Sequence, residues 1–246
     1  MFPLTCLTPT QCYVLMLPND ETENMIVFLH GLGDSAQNFA RSSIVQTVWG
    51  KMQRGEFPPT ILMIPEGERG YWLDWVDGEH RYETWTMNSI RTVVEQYDIE
   101  QTSLVGVSMG GLGALSIGLR HPDEISSMIA YSPTDLDIAL QDYPDYGLYQ
   151  NVFGKNYYEE YAYAMNPREL ILRGAGQSQH IAWIVGDSEQ RKFTEGSERL
   201  QVAASTQGLN PSVRIVEGGE HSFGKTWNLE STEWWIAEWL DWQTKD

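Results

Sequence analysis

Residues 103–115 read Ser103-Leu-Val-Gly-Val-Ser108-Met-Gly-Gly-Leu-Gly-Ala-Leu115. An almost unbroken apolar run ends in a glycine-rich turn, and Leu112, Ala114, Leu115 and Leu119 then recur at helical spacing, so the stretch predicts strand, sharp turn, helix. Gly106-Val-Ser108-Met-Gly110 is a G-x-S-x-G pattern. In such an elbow a serine sits on a strained turn, and the residues two before and two after it must be small to avoid clashing. Gly106 and Gly110 meet that demand, and Gly111 adds room for close helix packing. A glycine turn that merely packs is disfavoured by this placement between strand and helix.

Outward from the elbow the same alternation repeats. Met25–Leu29, Thr60–Ile64, Ser103–Val107, Ser127–Tyr131, Ile181–Val185 and Ser212–Val216 are nearly continuous apolar runs, as buried parallel strands are. Glu83–Tyr97, Met109–Arg120 and the tryptophan-rich Glu230–Trp242 read as amphipathic helices. The pattern predicts an α/β fold with a mostly parallel central sheet, helices on both faces, and one domain over residues 1–246. One stretch breaks the rhythm. Thr134–Met165 holds seven of the twelve tyrosines and is too long for an ordinary connection of about 2–6 residues. It reads as a small tyrosine-rich cap or lid (134–165), with a plain structural insertion as the alternative.

A serine hydroxyl is a poor nucleophile until a base removes its proton, so a histidine must reach Ser108. Five are available. His221, in Glu217-Gly-Gly-Glu-His221-Ser-Phe223, follows the last strand in a glycine loop, where the base belongs in the chain order Ser, Asp, His. A carboxylate should fix its tautomer from the end of an intervening strand, and Asp187 in Trp183-Ile-Val-Gly-Asp187 has that placement. Asp135, Asp137 and Glu189 compete: the first two lie at the entry of the insertion, and Glu189 is two residues further into the loop. Acyl transfer also needs N–H groups aimed at the developing oxyanion. Met109, after the nucleophile, supplies one, and Leu32 in His30-Gly-Leu-Gly-Asp34 the second, leaving His30 to buttress that loop. A phosphate-binding reading of the same glycines is weak, since no lysine follows and no G-x-G-x-x-G is present.

The segments FLHGLGDS, GVSMGGLGAL, YSP, NVFG followed by NP, WIVGDSE and GGEHSF resemble the esterase D and S-formylglutathione hydrolase group of α/β-hydrolases, over roughly residues 25–240. HGLGDS is also similar to the acyl-protein thioesterase and carboxylesterase branch. The resemblance implies an α/β-hydrolase fold and hydrolysis of carboxylic esters or thioesters through a covalent acyl-enzyme, with no metal or organic cofactor. Perhydrolase or acyltransferase activity would use the same groups with another acceptor. A non-catalytic binding module on this fold is the alternative of another class, disfavoured because every role is filled.

Composition narrows the partners. Sixteen basic against 34 acidic side chains leave −18, a field that repels nucleic acid and anionic membrane surfaces, so no nucleic acid or membrane partner is expected. It also ranks anionic substrates, S-formylglutathione among them, below small or medium neutral esters. The insertion carries −5 of that charge. Tyr71, Trp72, Trp75 and Trp85 cluster before the elbow and read equally as aromatic pocket walls or as core anchors. Trp72 and Trp75, with Tyr143, Tyr146 and Tyr149 from the insertion, are the candidate substrate contacts. The residues before Pro18 lack a basic n-region and a long apolar h-region, so a cytoplasmic protein is expected. Cys6 and Cys12 are too few for a disulfide framework and are expected as free thiols, with a bridged small loop as the alternative. Whether the chain pairs as a homodimer is not legible.

Overall fold

The computed structural model describes residues 4–8, 11–143, 146–154 and 158–244. In chain order its elements are β1 (Leu4–Thr8), β2 (Gln11–Met16), β3 (Asn24–Leu29), α1 (Ala36–Phe39), α2 (Ser43–Gln53), β4 (Ile61–Pro65), α3 (Tyr82–Tyr97), β5 (Gln101–Val107), α4 (Met109–Arg120), β6 (Ser127–Tyr131), α5 (Leu136–Asp142), α6 (Gly147–Phe153), α7 (Tyr158–Met165), α8 (Pro167–Leu172), β7 (His180–Gly186), α9 (Arg191–Thr206), β8 (Ser212–Val216) and α10 (Leu229–Trp242). The strands form one sheet in the order β1-β2-β4-β3-β5-β6-β7-β8. Six are parallel. Among the described strands of the sheet, β1 on β2 and β2 on β4 pair antiparallel. All six expected strands are present, with ends shifted by at most two residues. The β1–β2 hairpin escaped the sequence reading, and there Cys6 and Cys12 face each other and are joined. The expectation of free thiols is therefore corrected: hairpin pairing, invisible to cysteine counting, sets the two side by side.

Each face of the sheet carries its own apolar layer. Trp72, Met87, Leu112, Trp183 and Tyr149 belong to one; Phe28, Phe39, Val48, Trp235 and Trp239 belong to the other. The amphipathic pattern of α10 puts Trp235 and Trp239 inward, both fully buried. Their indole N–H groups donate to the Tyr131 hydroxyl at 2.7 Å and the Ser103 hydroxyl at 2.8 Å, so helix and sheet are pinned by polar as well as apolar contact. Trp239 also stacks on Phe57 at 4.9 Å. Trp239→Ala is expected to cost about 3–5 kcal/mol, because the cavity and the lost indole hydrogen bond to Ser103 both count against it. Urea unfolding followed by far-UV circular dichroism reads that loss.

The insertion forms α5–α7 and bridges two parts of the molecule. Asp135 caps α5 through the Ile138 N–H, Asp142 pairs with Arg191 of α9, and the Val76 N–H donates to the Val152 carbonyl at 3.1 Å. Asp145, Lys155 and Tyr157 lie outside the described residues.

Candidate active site

The elbow forms as its sequence requires. Between β5 and α4, Ser108 has φ 56° and ψ −113°, a left-handed conformation that costs free energy for a residue with a side chain. Chain packing enforces it: a Cβ on Gly106 would come within 1.9 Å of the Gly110 carbonyl, and one on Gly110 within 1.9 Å of the Leu29 carbonyl. Only glycine fits at either position. The Ser108 N–H donates to the Tyr131 carbonyl at 2.8 Å, tying the turn to the neighbouring strand.

His221 comes to it from the loop after β8. Its Nε2 lies 2.8 Å from Ser108 Oγ. The imidazole is gripped on two sides, with Phe193 stacked at 4.0 Å and Trp227 edge-on at 4.7 Å. The carboxylate on its Nδ1 is Glu189, at 2.6 Å, with its side chain completely buried. Glu189 Oε1 accepts from the Gly186 N–H and the Ser132 hydroxyl, each at 2.8 Å. Asp187 does not reach the ring. It is exposed, and its Oδ1 accepts from the Gly218 N–H at 2.8 Å and the Ser188 hydroxyl at 3.1 Å. The expectation for Asp187 is thus corrected in favour of Glu189, the competitor set aside for lying two residues further on. Those two residues are a turn. The Glu189 N–H reaches back to the Gly186 carbonyl at 3.4 Å, which returns the fourth residue of Gly186-Asp-Ser-Glu189 to the strand ends while the second points outward. The available signal was turn chemistry, since Asp and Ser favour such a bend.

The loop at residues 30–34 lies against the elbow, where a Cβ on Gly31 would sit 3.7 Å from Ser108 Cβ. Buried His30 holds this loop from beneath. Its Nε2 accepts from the Gly67 N–H at 3.0 Å, which leaves Nδ1 as the donor to the Gly31 carbonyl at 2.9 Å. That carbonyl accepts the Asp34 N–H as well. In a trans peptide the carbonyl and the following N–H point opposite ways, so fixing Gly31 O also fixes the direction of the Leu32 N–H. Met109 heads α4, where first-turn N–H groups have no acceptor within the helix.

Residues 10–243 match the model of the Esterase family. The chain belongs to that family. The fold of the esterase is shared with an S-formylglutathione hydrolase from Agrobacterium tumefaciens at a TM-score of 0.73 and 16% identity, covering 96% of this chain and 91% of that one. It is likewise similar to a fluorophosphonate-binding serine hydrolase of Staphylococcus aureus at 0.76 and 15%, covering 96% and 97%, and to a ferulic acid esterase at 0.69 and 16%, covering 97% and 93%. A curated relative, 2-hydroxymuconate semialdehyde hydrolase of Pseudomonas sp. (strain CF600), is 27% identical over 104 residues, which are 42% of this chain. The match spans only 34% of that relative's length. The esterase therefore has the α/β-hydrolase fold, with Ser108 and His221 at the carboxyl ends of its strands.

The aromatic residues proposed from sequence as substrate contacts divide on burial. Trp72 is fully enclosed, its ring against Gly67 and Gly113 and its Nε1 donating to the His30 carbonyl at 3.1 Å. Tyr149 is 1% exposed and packs edge-on against Tyr71 and Tyr146. Both are anchors, which corrects their place among the candidate substrate contacts and, for Trp72, is the second of its two readings: composition marks an aromatic cluster but not which rings face solvent. Trp75 is half-buried and stacked on His80 at 4.3 Å. Tyr143 and Tyr146 of the insertion remain open, at 43% and 37%. Lys192 lies over the Tyr143 ring at 5.1 Å, and the Arg69 guanidinium donates to the Tyr146 hydroxyl at 3.4 Å. A concavity of about 1130 Å³ is lined by Asn24, Ile61 and Glu100 at the amino ends of the strands, the opposite end from Ser108, which follows the carboxyl end of β5. Among the described residues no group of three or more His, Cys, Asp or Glu is placed to hold a metal ion, and no helix is long and apolar enough to cross a membrane.

Proposed function

We propose that this esterase hydrolyses small to medium neutral carboxylic esters, aromatic ones included, through a covalent acyl-enzyme on Ser108. The observation that carries the reading is the unbroken line Ser108 Oγ, His221 Nε2, His221 Nδ1, Glu189 Oε2, with contacts of 2.8 and 2.6 Å. The carboxylate holds the proton on Nδ1, so Nε2 presents a lone pair to the serine hydroxyl. As Ser108 Oγ attacks the ester carbon its proton passes to Nε2, and the carbonyl oxygen becomes negative. The Leu32 and Met109 N–H groups stabilise that charge. The imidazolium then protonates the leaving alkoxide, the C–O bond breaks, and the acyl group stays on Ser108. Water repeats the sequence to free the acid and restore the serine.

Exposed Leu32, in the loop that lies against the elbow, and Phe223, which follows His221 in the chain, offer apolar surface to an ester. In this reading the 134–165 segment covers the acyl pocket through its open rings, Tyr143 and Tyr146. A thioester substrate with an anionic acyl or thiol part is favoured by one observation, the cations Lys192 and Arg69 beside those rings in a chain that is otherwise acidic. The joined Cys6 and Cys12 favour an oxidising compartment over the cytoplasm.

A panel of p-nitrophenyl and hydroxycinnamoyl esters with one thioester, run on purified protein, tests the substrate class; no turnover of any oxygen ester would overturn the reading. Tyr143→Ala with Tyr146→Ala is expected to change the kcat/KM ratio of aromatic to acetate esters by about fivefold or more, given ~1 kcal/mol for a lost aromatic contact. A constant ratio with a lowered Tm would make the segment scaffold only.

A further inference from the structure

Glu189 is bonded on both oxygens, and one of its partners is held at a conformational cost. Ser132 follows β6, is fully buried, and has φ 49°. Left-handed backbone at a buried serine persists only where the surroundings hold it there. Its N–H donates to the Ile184 carbonyl at 2.7 Å, and its hydroxyl stands between the Trp227 indole, 2.9 Å away, and Glu189 Oε1, 2.8 Å away.

The direction of these bonds follows from chemistry. An indole Nε1–H can only donate, so the Ser132 oxygen is the acceptor toward Trp227. The single hydroxyl proton is then free for Glu189, and a carboxylate can only accept. The Gly186 N–H adds a second donor to the same oxygen. With Oε1 filled by two donors, Oε2 is the oxygen left to receive His221 Nδ1–H, and Nε2 is left as acceptor for Ser108. A donor-only group at one end thus orders every bond from Trp227 to the nucleophile. Trp227 also packs edge-on against the His221 ring, which closes the circuit on the imidazole it serves.

We propose that Ser132 is a positioning residue for catalysis, with Trp227 as the group that orients its hydroxyl: together they fix which oxygen of Glu189 faces His221 and keep that carboxylate an acceptor. The proposal rests on the assignment of Ser108, His221 and Glu189 as the working groups. It accounts for the left-handed backbone at Ser132, which is what aims the hydroxyl at Oε1.

The test is a double-mutant cycle of Ser132→Gly and Trp227→Phe, assayed with p-nitrophenyl acetate. Rates are normalised to the Ser108 that a fluorophosphonate titrates, and Tm is recorded for each variant. Glycine adopts the left-handed conformation freely, and phenylalanine keeps an aromatic ring beside His221 while removing the donor. Ser132→Gly is expected to lower kcat by about tenfold to hundredfold, the value of a hydrogen bond to a charged group, with KM within about twofold. Trp227→Phe is expected to lower kcat less, and the double variant no further than Ser132→Gly alone, because both act through one hydroxyl. A kcat within about threefold of the parent in Ser132→Gly overturns the proposal, as do losses that multiply in the double variant. Glu189→Gln is the control: if it too retains full activity, the fault lies with the carboxylate assignment rather than with Ser132.

Discussion

Ser108→Ala leaves the esterase folded and lowers kcat by about 10⁶, since without the hydroxyl no acyl-enzyme forms and only binding and oxyanion stabilisation remain. The fold is expected to hold for a specific reason. The left-handed φ of 56° at this position is imposed by Gly106, Gly110 and the Leu29 carbonyl, and alanine bears the same conformational cost as serine. What is lost is one hydrogen bond to His221 at a half-buried site, so Tm should stay within about 3 °C. Fluorophosphonate labelling should vanish in the same variant. Turnover within tenfold of the parent would overturn the assignment of Ser108.

What the sequence disclosed and what it hid follow from the range of the interactions involved. Ser108, Gly106 and Gly110 were legible because an elbow is local: strand, turn and helix occupy one uninterrupted stretch from Gln101 to Arg120, and sterics alone dictate the glycines. His221 was legible from chain order, since one glycine loop after the last strand holds one histidine. Glu189 was hidden because its role depends on a turn that shortens the path from residue 186 to residue 189, and on Gly218, which engages Asp187 from another loop. The aromatic residues were legible as a group and illegible singly. Trp72 and Tyr149 lie inward and Tyr143 and Tyr146 outward, as decided by how α5 packs on α7 and α9 and how α6 packs on the loop that follows β4. The hairpin of β1 and β2 escaped for a related reason, its mixed apolar and polar residues giving no strong period until β4 supplies a partner.

The second large effect separates the two carboxylates that the sequence set in competition. Glu189→Gln should lower kcat by about 10³–10⁴ with KM little changed, and the reason lies in its neighbours. Oε1 receives the Ser132 hydroxyl and the Gly186 N–H, so the oxygen of the new amide must stay there. Its NH₂ is then turned toward His221 Nδ1, a donor facing a donor. The ring can relieve that clash only by moving its proton to Nε2, where it can no longer accept from Ser108. Glutamine thus preserves shape and burial while selecting the unproductive tautomer. Glu189→Asp keeps the charge but draws it back by one methylene, about 1.5 Å, too far to satisfy Nδ1 and the two donors together, and is expected to fall between glutamine and the parent. Asp187→Asn retains the oxygen that Gly218 and Ser188 use and should stay within about threefold of the parent. Steady-state kinetics on the three variants with one p-nitrophenyl ester decide the matter. If Asp187→Asn proves the more damaging, the carboxylate that orients His221 during turnover is not the one that touches it in this structure.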